Sequence, residues 1–309
     1  MLYCLYKNAR LITLNYLLQH MKHDTSWGKV ADWYDDYLGS EDSYQKNVIL
    51  PNILRIVNPR AGDYIADIAC GQGYFSEAVA LQKARVVGVD ISRELITKAE
   101  DRFAARKLNN AKFHVSGADD LSAIQSSTID TAMCILAAQN IKELDKTFEE
   151  IARILRRPKK QDIVGLSIKN KRDIKDSPAV TFGRLVLVIN HPSFRIPQSS
   201  DWFYDDRPSS TNRDRQGRVV YQYLSEGTIK IDMNPGIPKE RAREKKYTIS
   251  YHRPLQVFMK LLSKHGFSIT RLEEWSSHKK SQGGPRAKAE DDARKEIPMF
   301  MCIEASLNK

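Results

Sequence analysis

Short apolar runs rich in β-branched residues alternate along this chain with longer stretches whose apolar positions recur every three or four residues. The first pattern predicts strands buried on both faces, and the second predicts amphipathic helices packed against them. Residues 25–58 carry Trp27, Val30, Ala31, Trp33 and Tyr34, then Val48, Ile49, Leu50, Ile53, Leu54 and Val57, all at helical spacing. Pro51 is expected either early in the second of these helices or at a kink in it. Strands are predicted at about 64–68, 85–89, 111–117, 130–136 and 183–190. Helices are predicted from Ile91, with Ser92 as its cap, and over Glu143–Arg157. Near the C-terminus a helix at 253–267 ending at Gly266, a strand at 268–275, a helix within 284–298 and a strand at 299–307 complete the series. Strands alternating with helices predict an α/β fold around a mostly parallel sheet.

Two segments break this rhythm. Residues 158–182 stand where a short turn into the fifth strand would suffice, and are read as a surface loop carrying a short hairpin. Residues 192–250 hold Pro192, Pro197 and Pro208 and two alternating stretches, RVVYQYLS and TIKIDM. That pattern predicts a β-hairpin or small antiparallel cap.

The densest chemistry lies between Tyr64 and Asp90, YIADIACGQGYFSEAVALQKARVVGVD. A strand ends near Asp67, a small-residue turn follows, then a helix, then a second strand that closes on Asp90. Gly71 and Gly73 let backbone approach a ligand, and the helix behind them offers free N–H groups. A carboxylate at the end of the second strand is placed to accept both hydroxyls of a ribose. The dinucleotide pattern G-x-G-x-x-G is incomplete, since Ser76 holds the third glycine position. The alternative pattern, Asp67-x-Ala69-x-Gly71-x-Gly73, resembles motif I of the class I S-adenosylmethionine methyltransferases, with Ala69 in place of the usual first glycine. Over roughly residues 25–309 the element order also resembles that family, closest to its ubiquinone/menaquinone-biosynthesis (type 11) group. Within that group it resembles a bacterial branch with an N-H-P-x-F-R-I-P segment after strand 5, here Asn190–Pro197.

The resemblance implies a Rossmann-like seven-stranded sheet with an antiparallel seventh strand, S-adenosylmethionine as cofactor, and methyl transfer to a small molecule. It assigns the turn Asp67, Ala69, Cys70, Gly71 and Gly73 to the methionine end of the cofactor, Asp90 to the ribose and Ile91 to the adenine face. Ala118 and Asp119 become candidates for the adenine edge, although Gly117 replaces a more usual acid. Leu136 is expected to line the cleft. Tyr34 is either a cover for the methionine end or an aromatic packed in the lid.

An acceptor must sit beyond the carboxyl ends of the strands, where a base would also stand. His191 directly follows the fifth strand and titrates in the right range, so it is the first candidate base; His252 is the second. Each has the alternative of a hydrogen-bonded structural histidine. Arg195 and Arg253 are candidates to hold an acceptor that is possibly anionic, against the alternative of surface ion pairs. His278, Lys279 and Arg286 form a further candidate wall between strands 6 and 7. The string NHPSF at Asn190–Phe194 resembles the Asn/Asp-Pro-Pro-aromatic turn of nucleic-acid amino-methylases, but it lacks the second Pro and follows strand 5 instead of strand 4.

Composition narrows the rest. The 309 residues are 41% hydrophobic and 28% charged, an ordinary globular balance. The four cysteines form no metal-spaced pair, so neither a metal site nor a disulfide framework is expected, and a reducing cytoplasm fits. No run is long enough to span a membrane. The net charge of +11 is spread over several segments, two of them interrupted by acids. Nucleic acid is therefore a possible but not a favoured partner. Residues 1–20 are read as an upstream extension or a short docking helix, with Met21 the natural start of the domain. Three rivals remain: a nucleic-acid or protein methylase, a protein that holds S-adenosylmethionine without turnover, and an NAD-linked oxidoreductase.

Overall fold

The computed structural model describes Trp27 and residues 41–157, 182–205, 215–232 and 247–308. Tyr34, residues 1–20 and nearly all of the segment 158–182 lie outside the described residues.

The first described helix shows what Pro51 does. A π-helical turn, Gln45–Ile49, runs directly into α1, Leu50–Val57, and Pro51 sits in the first turn of α1. The Leu50 N–H reaches back five residues to the Gln45 carbonyl. Proline has no N–H to donate, and its ring crowds the carbonyl four residues back, so the preceding turn widens to absorb it. The chain stays helical, and the kink is local.

There follow β1 (Tyr64–Ile68), α2 (Tyr74–Ala80), β2 (Arg85–Asp90), α3 (Arg93–Ala105), β3 (Ala111–Val115), β4 (Thr131–Ile135), α4 (Leu144–Ile154) and β5 (Arg184–Asn190). The cap region holds β6 (Ser200–Asp205), β7 (Arg215–Val220), β8 (Gly227–Asp232) and β9 (Tyr247–His252). The chain then closes with α5 (Leu255–Lys264), β10 (Phe267–Trp275), α6 (Ala287–Glu296) and β11 (Phe300–Leu307). The main sheet has seven strands in the order β10-β11-β5-β4-β1-β2-β3, with β11 antiparallel to both of its neighbours. The strands β1 to β5 are parallel where they pair.

Both faces of the central strands β1, β2, β4 and β5 are covered, so these strands are apolar at most positions. On one face Ala66, Val87, Cys134 and Leu187 pack with Phe148 and Ile151 of α4 and Phe258 of α5. On the other, Ile65, Val86, Met133 and Val188 pack with Ile53 of α1 and Val79 of α2. The alternation of neighbours such as Ile65 and Ala66 is the period-two geometry of a strand.

In the cap region each alternating stretch finds its own antiparallel partner. RVVYQYLS and TIKIDM do not pair with each other. β7 pairs with β6 and β8 with β9, as two separate antiparallel hairpins. The partners were hidden for physical reasons. β6 is a polar-flanked aromatic run. β9 turns Thr248, Ser250 and His252 inward while Tyr247 and Ile249 are each 39% exposed, the reverse of a strand packed on a core.

Candidate functional site

The carboxyl ends of β1, β2 and β4 frame a cleft. β1 is followed by a turn that begins with Ala69 at φ 56°, and β4 is followed directly by Leu136 at φ 53°. Both lie in the left-handed region that costs a non-glycine residue energy, and such strain concentrates at functional sites. Ala69 occupies the position where the resemblance expects glycine, and its dihedral is the reason for that expectation. Gly71, at φ 56°, borders open space where a Cβ would stand. Gly73, at φ 74°, starts α2, and a Cβ there would meet Ala99 of α3 at 3.0 Å. One glycine keeps a ligand path open, and the other lets two helices approach.

Two carboxylates are buried at this turn. Asp90 is 7% exposed and accepts from the Gly71 N–H at 2.8 Å and the Ser92 N–H at 2.9 Å. It thereby ties the turn after β1 to the end of β2, and each oxygen keeps a further lone pair. Burial raises its pKa against the pull of those N–H groups. Asp67 is 2% exposed and accepts from the Ser76 hydroxyl at 2.6 Å. Burial, reinforced by the field of Asp90 and opposed by the Ser76 bond, raises its pKa to about 7. Ser76, which breaks the dinucleotide pattern, is therefore the partner of a buried acid. The Cys70 thiol is pushed up by burial and by the two aspartates, so it is an inert thiol.

Asp67, Ala69, Cys70, Gly71, Asp90, Ile91 and Leu136 line one cavity, together with Trp27, Tyr74, Phe75 and Asn140, which sequence reasoning did not single out. Gly73 shapes the turn without lining the cavity, and Ala118 and Asp119 also stand outside the lining. The Asp119 carboxylate occupies the space that a side chain at 117 would fill, so Gly117 and Asp119 are complementary.

A second cavity, of about 520 Å³, adjoins the first. Trp27, Leu136 and Asn140 line both. Asn140 sits in a 3₁₀ turn, Ala138–Asn140, just beyond β4, and its Nδ2 donates weakly to the Leu136 carbonyl at 3.4 Å. The other walls come from Tyr44 and Gln45 at the start of the first described helix, Asn190 at the end of β5, Arg195 after it, Arg218 of β7, and Thr248 and Ser250 of β9. The inverted face of β9 is thus a cavity wall. Arg195 donates to the Asn190 Oδ1 at 2.7 Å and lies over the Phe300 ring at 5.3 Å.

Neither candidate base is among the residues lining the second cavity. His191 is 3% exposed; its Nδ1 accepts from the Ser193 N–H at 3.2 Å, so its Nε2–H donates to Glu274 at 2.7 Å. Burial lowers its pKa against the pull of Glu274. Both ring nitrogens are engaged, and the ring does not line the second cavity. The Nε2–H of His252 donates to the Tyr223 carbonyl at 2.8 Å, and His252 lines a small side cavity that shares Asn190, Arg195 and Ser250 with the second cavity. Arg253, expected to hold an acceptor, donates to the carbonyls of Ala138, Ile141 and Lys142 and buttresses the turn after β4. His278 and Lys279 share Asp42, and Arg286 lies over the Tyr204 ring; none lines either cavity. Among the described residues no group of acids, histidines and cysteines is arranged to hold a metal ion. No described helix is long and apolar enough to cross a membrane.

A methyltransferase-domain family model matches residues 65–158. A 23S rRNA (uracil-C5) methyltransferase of Thiobacillus denitrificans is 36% identical over 67 residues, which cover 22% of this chain and 16% of that protein. A ubiquinone biosynthesis O-methyltransferase of Xylella fastidiosa is 23% identical over 126 residues, covering 41% of this chain and 51% of that one. The chain thus spans about half or less of these curated relatives. In fold it is similar to an S-adenosylmethionine-dependent methyltransferase from Mesorhizobium loti, with TM-score 0.56 and 20% identity over 84% of this chain and 99% of the other.

Proposed function

We propose that this chain, a class I S-adenosylmethionine-dependent methyltransferase by its fold and its domain match, transfers a methyl group to a small molecule held in the 520 Å³ cavity. One observation carries the reading: two cavities beyond the carboxyl ends of the strands meet at a shared wall of Trp27, Leu136 and Asn140. Such crevices are where open α/β sheets take ligands, and this volume suits a metabolite.

The residues of the first cavity fit the cofactor. Asp90 retains lone pairs for two ribose hydroxyls, Gly71 leaves the approach open, and Ile91 and Leu136 offer apolar surface for a purine. When bound, S-adenosylmethionine supplies an electrophilic methyl on a positively charged sulfur. The chain's own task is then to bring an acceptor atom in line and exclude water. The described lining of the second cavity holds no histidine, aspartate or glutamate. We therefore favour transfer by positioning, onto an acceptor whose lone pair needs no base from the protein. In this reading His191 secures the end of β5, through Glu274 and the Ser193 N–H.

S-adenosylhomocysteine should raise the melting temperature by several degrees at saturation, while NAD should not. Stabilisation by NAD and not by S-adenosylhomocysteine would overturn the proposal. The +11 charge favours one second reading, a nucleic-acid acceptor. It requires RNA binding that weakens steeply with salt.

A further inference from the structure

The charged side chains among the described lining of the second cavity are of one sign. Its described lining includes Arg195 and Arg218 and no aspartate or glutamate. Arg218 projects from β7, and four contacts fix its guanidinium. Its Nε donates to the Phe194 carbonyl at 2.8 Å, its Nη2 to the Ser200 Oγ at 2.7 Å and to the Ser200 carbonyl at 3.2 Å, and it lies over the Trp202 ring at 5.0 Å. The remaining nitrogen, Nη1, makes no hydrogen bond among the described residues, and the group forms no ion pair there. Asp201, the acid whose field it feels, is exposed. A partly desolvated cation locked in place without a counter-ion costs energy that a bound anion would return. A guanidinium fixed through Nε and Nη2, with its two Nη1 N–H groups open, is a preorganised donor for an oxygen of a carboxylate or phosphate.

We infer that the acceptor carries an anionic group, a carboxylate or a phosphate, which docks on Arg218 with Arg195 beside it, and that Arg218 selects acceptors by that group. Calling the bound anion the methyl acceptor rests on the methyl-transfer reading above; the anion site itself rests on the cavity alone. Arg195 and Arg218 line the second cavity and not the first, so an anion docked on them orients the acceptor without being the atom that must meet the methyl group.

The test is calorimetric titration of the full chain with succinate and with inorganic phosphate, at ionic strength held constant by potassium chloride. Saturable binding of either probe is expected, and which one binds identifies the group. Arg218→Gln should weaken that binding about tenfold to a hundredfold, since hydrogen bonds to charged groups are the strong ones. Arg218→Lys, which keeps the charge but loses the fork, should fall between. If Arg218→Gln does not fold, phenylglyoxal labelling of the wild type serves instead, with protection of Arg218 by the bound probe expected in the mass spectrum. No saturable binding beyond chloride, equal binding by Arg218→Gln, or no protection would each overturn the inference. S-adenosylhomocysteine is titrated in parallel: if it binds and the anions do not, only this inference falls. If the anions bind and it does not, the methyl-transfer reading falls while the anion site stands.

Discussion

Asp67 lines the first cavity, and burial moves its protonation toward neutrality. It is 2% exposed with Ser76 as its hydrogen-bond donor, and burial lifts its pKa from 3.8 to about 7. An acid whose folded pKa lies above its unfolded value contributes stability that is full below about pH 4 and lost as the pH rises through about 7. The two values differ by about three pH units, which at 1.36 kcal/mol each is about 4 kcal/mol as an upper figure. Typical domains are stable by only about 5–15 kcal/mol, so the effect is measurable. Asp67→Asn keeps the shape and an acceptor oxygen for Ser76 but removes the titration. Between pH 5 and pH 8 the urea-unfolding free energy of the ligand-free wild type should fall more steeply than that of the variant. At pH 5 the variant should be equal or about 1 kcal/mol less stable, because its amide N–H groups lack an acceptor; at pH 8 it should be the more stable protein. Asp90 is raised in the same direction, but it is present in both proteins, so the difference isolates Asp67. S-adenosylmethionine is a cation, so its affinity for the wild type should climb as Asp67 ionises, while the variant stays level. Parallel stability profiles for the two proteins would refute the reasoning.

Ala69→Gly should raise the melting temperature by a few degrees, since a left-handed alanine costs about 1–2 kcal/mol and glycine returns about half of that through its unfolded-state entropy; a lower melting temperature would contradict the strain at φ 56°. Asp90→Ala should weaken S-adenosylhomocysteine about tenfold or more per lost ribose hydrogen bond, and calorimetry showing unchanged affinity in a folded variant would sink the cofactor assignment. The same variant strands the Gly71 and Ser92 N–H groups, so its unfolding midpoint should drop as well. His191→Ala should lower stability by about 2 kcal/mol through its two lost partners while leaving S-adenosylhomocysteine affinity unchanged; a variant of wild-type stability would argue against the strand-end role.

The sheet was legible because a strand buried on both faces needs apolar residues almost throughout, and few other structures do. Ile65–Ile68 and Leu185–Ile189 carry that demand openly, and Asp67 stood out as an acid inside such a run. The partner of that acid was not legible. Ser76 is nine residues away and looked like a broken glycine motif, because the pattern records backbone needs and not the hydrogen bond that a buried carboxylate imposes. The hairpin β8–β9 was missed for a related reason. Its inner face serves a polar cavity, so Thr248 and Ser250 point inward and the usual sign of the alternation is reversed.

The histidine candidates show what chain position decides and what it leaves open. Following a strand places a residue at the correct end of the sheet, but successive side chains point to opposite faces. Asn190 lines the second cavity, and His191, one step on, turns toward Glu274 of β10 instead. The ring packs at 4.7 Å from Phe194, so returning it to the cavity would cost two hydrogen bonds and a ring contact. Arg218 is the converse case. It lies in an alternating run that gives no motif, and only the folding of β7 against β6 carries its guanidinium to the cavity wall. The groups that contact an acceptor are therefore set by the hairpin register, which the cofactor motif does not encode. A register shift of one residue in β7 would turn Arg218 to the other face and replace it at the wall by Gly217 or Val219. A cavity that reads an anion through Arg218 thus depends on the β6–β7 pairing, in which Arg218 stands opposite Trp202, the ring that fixes its guanidinium.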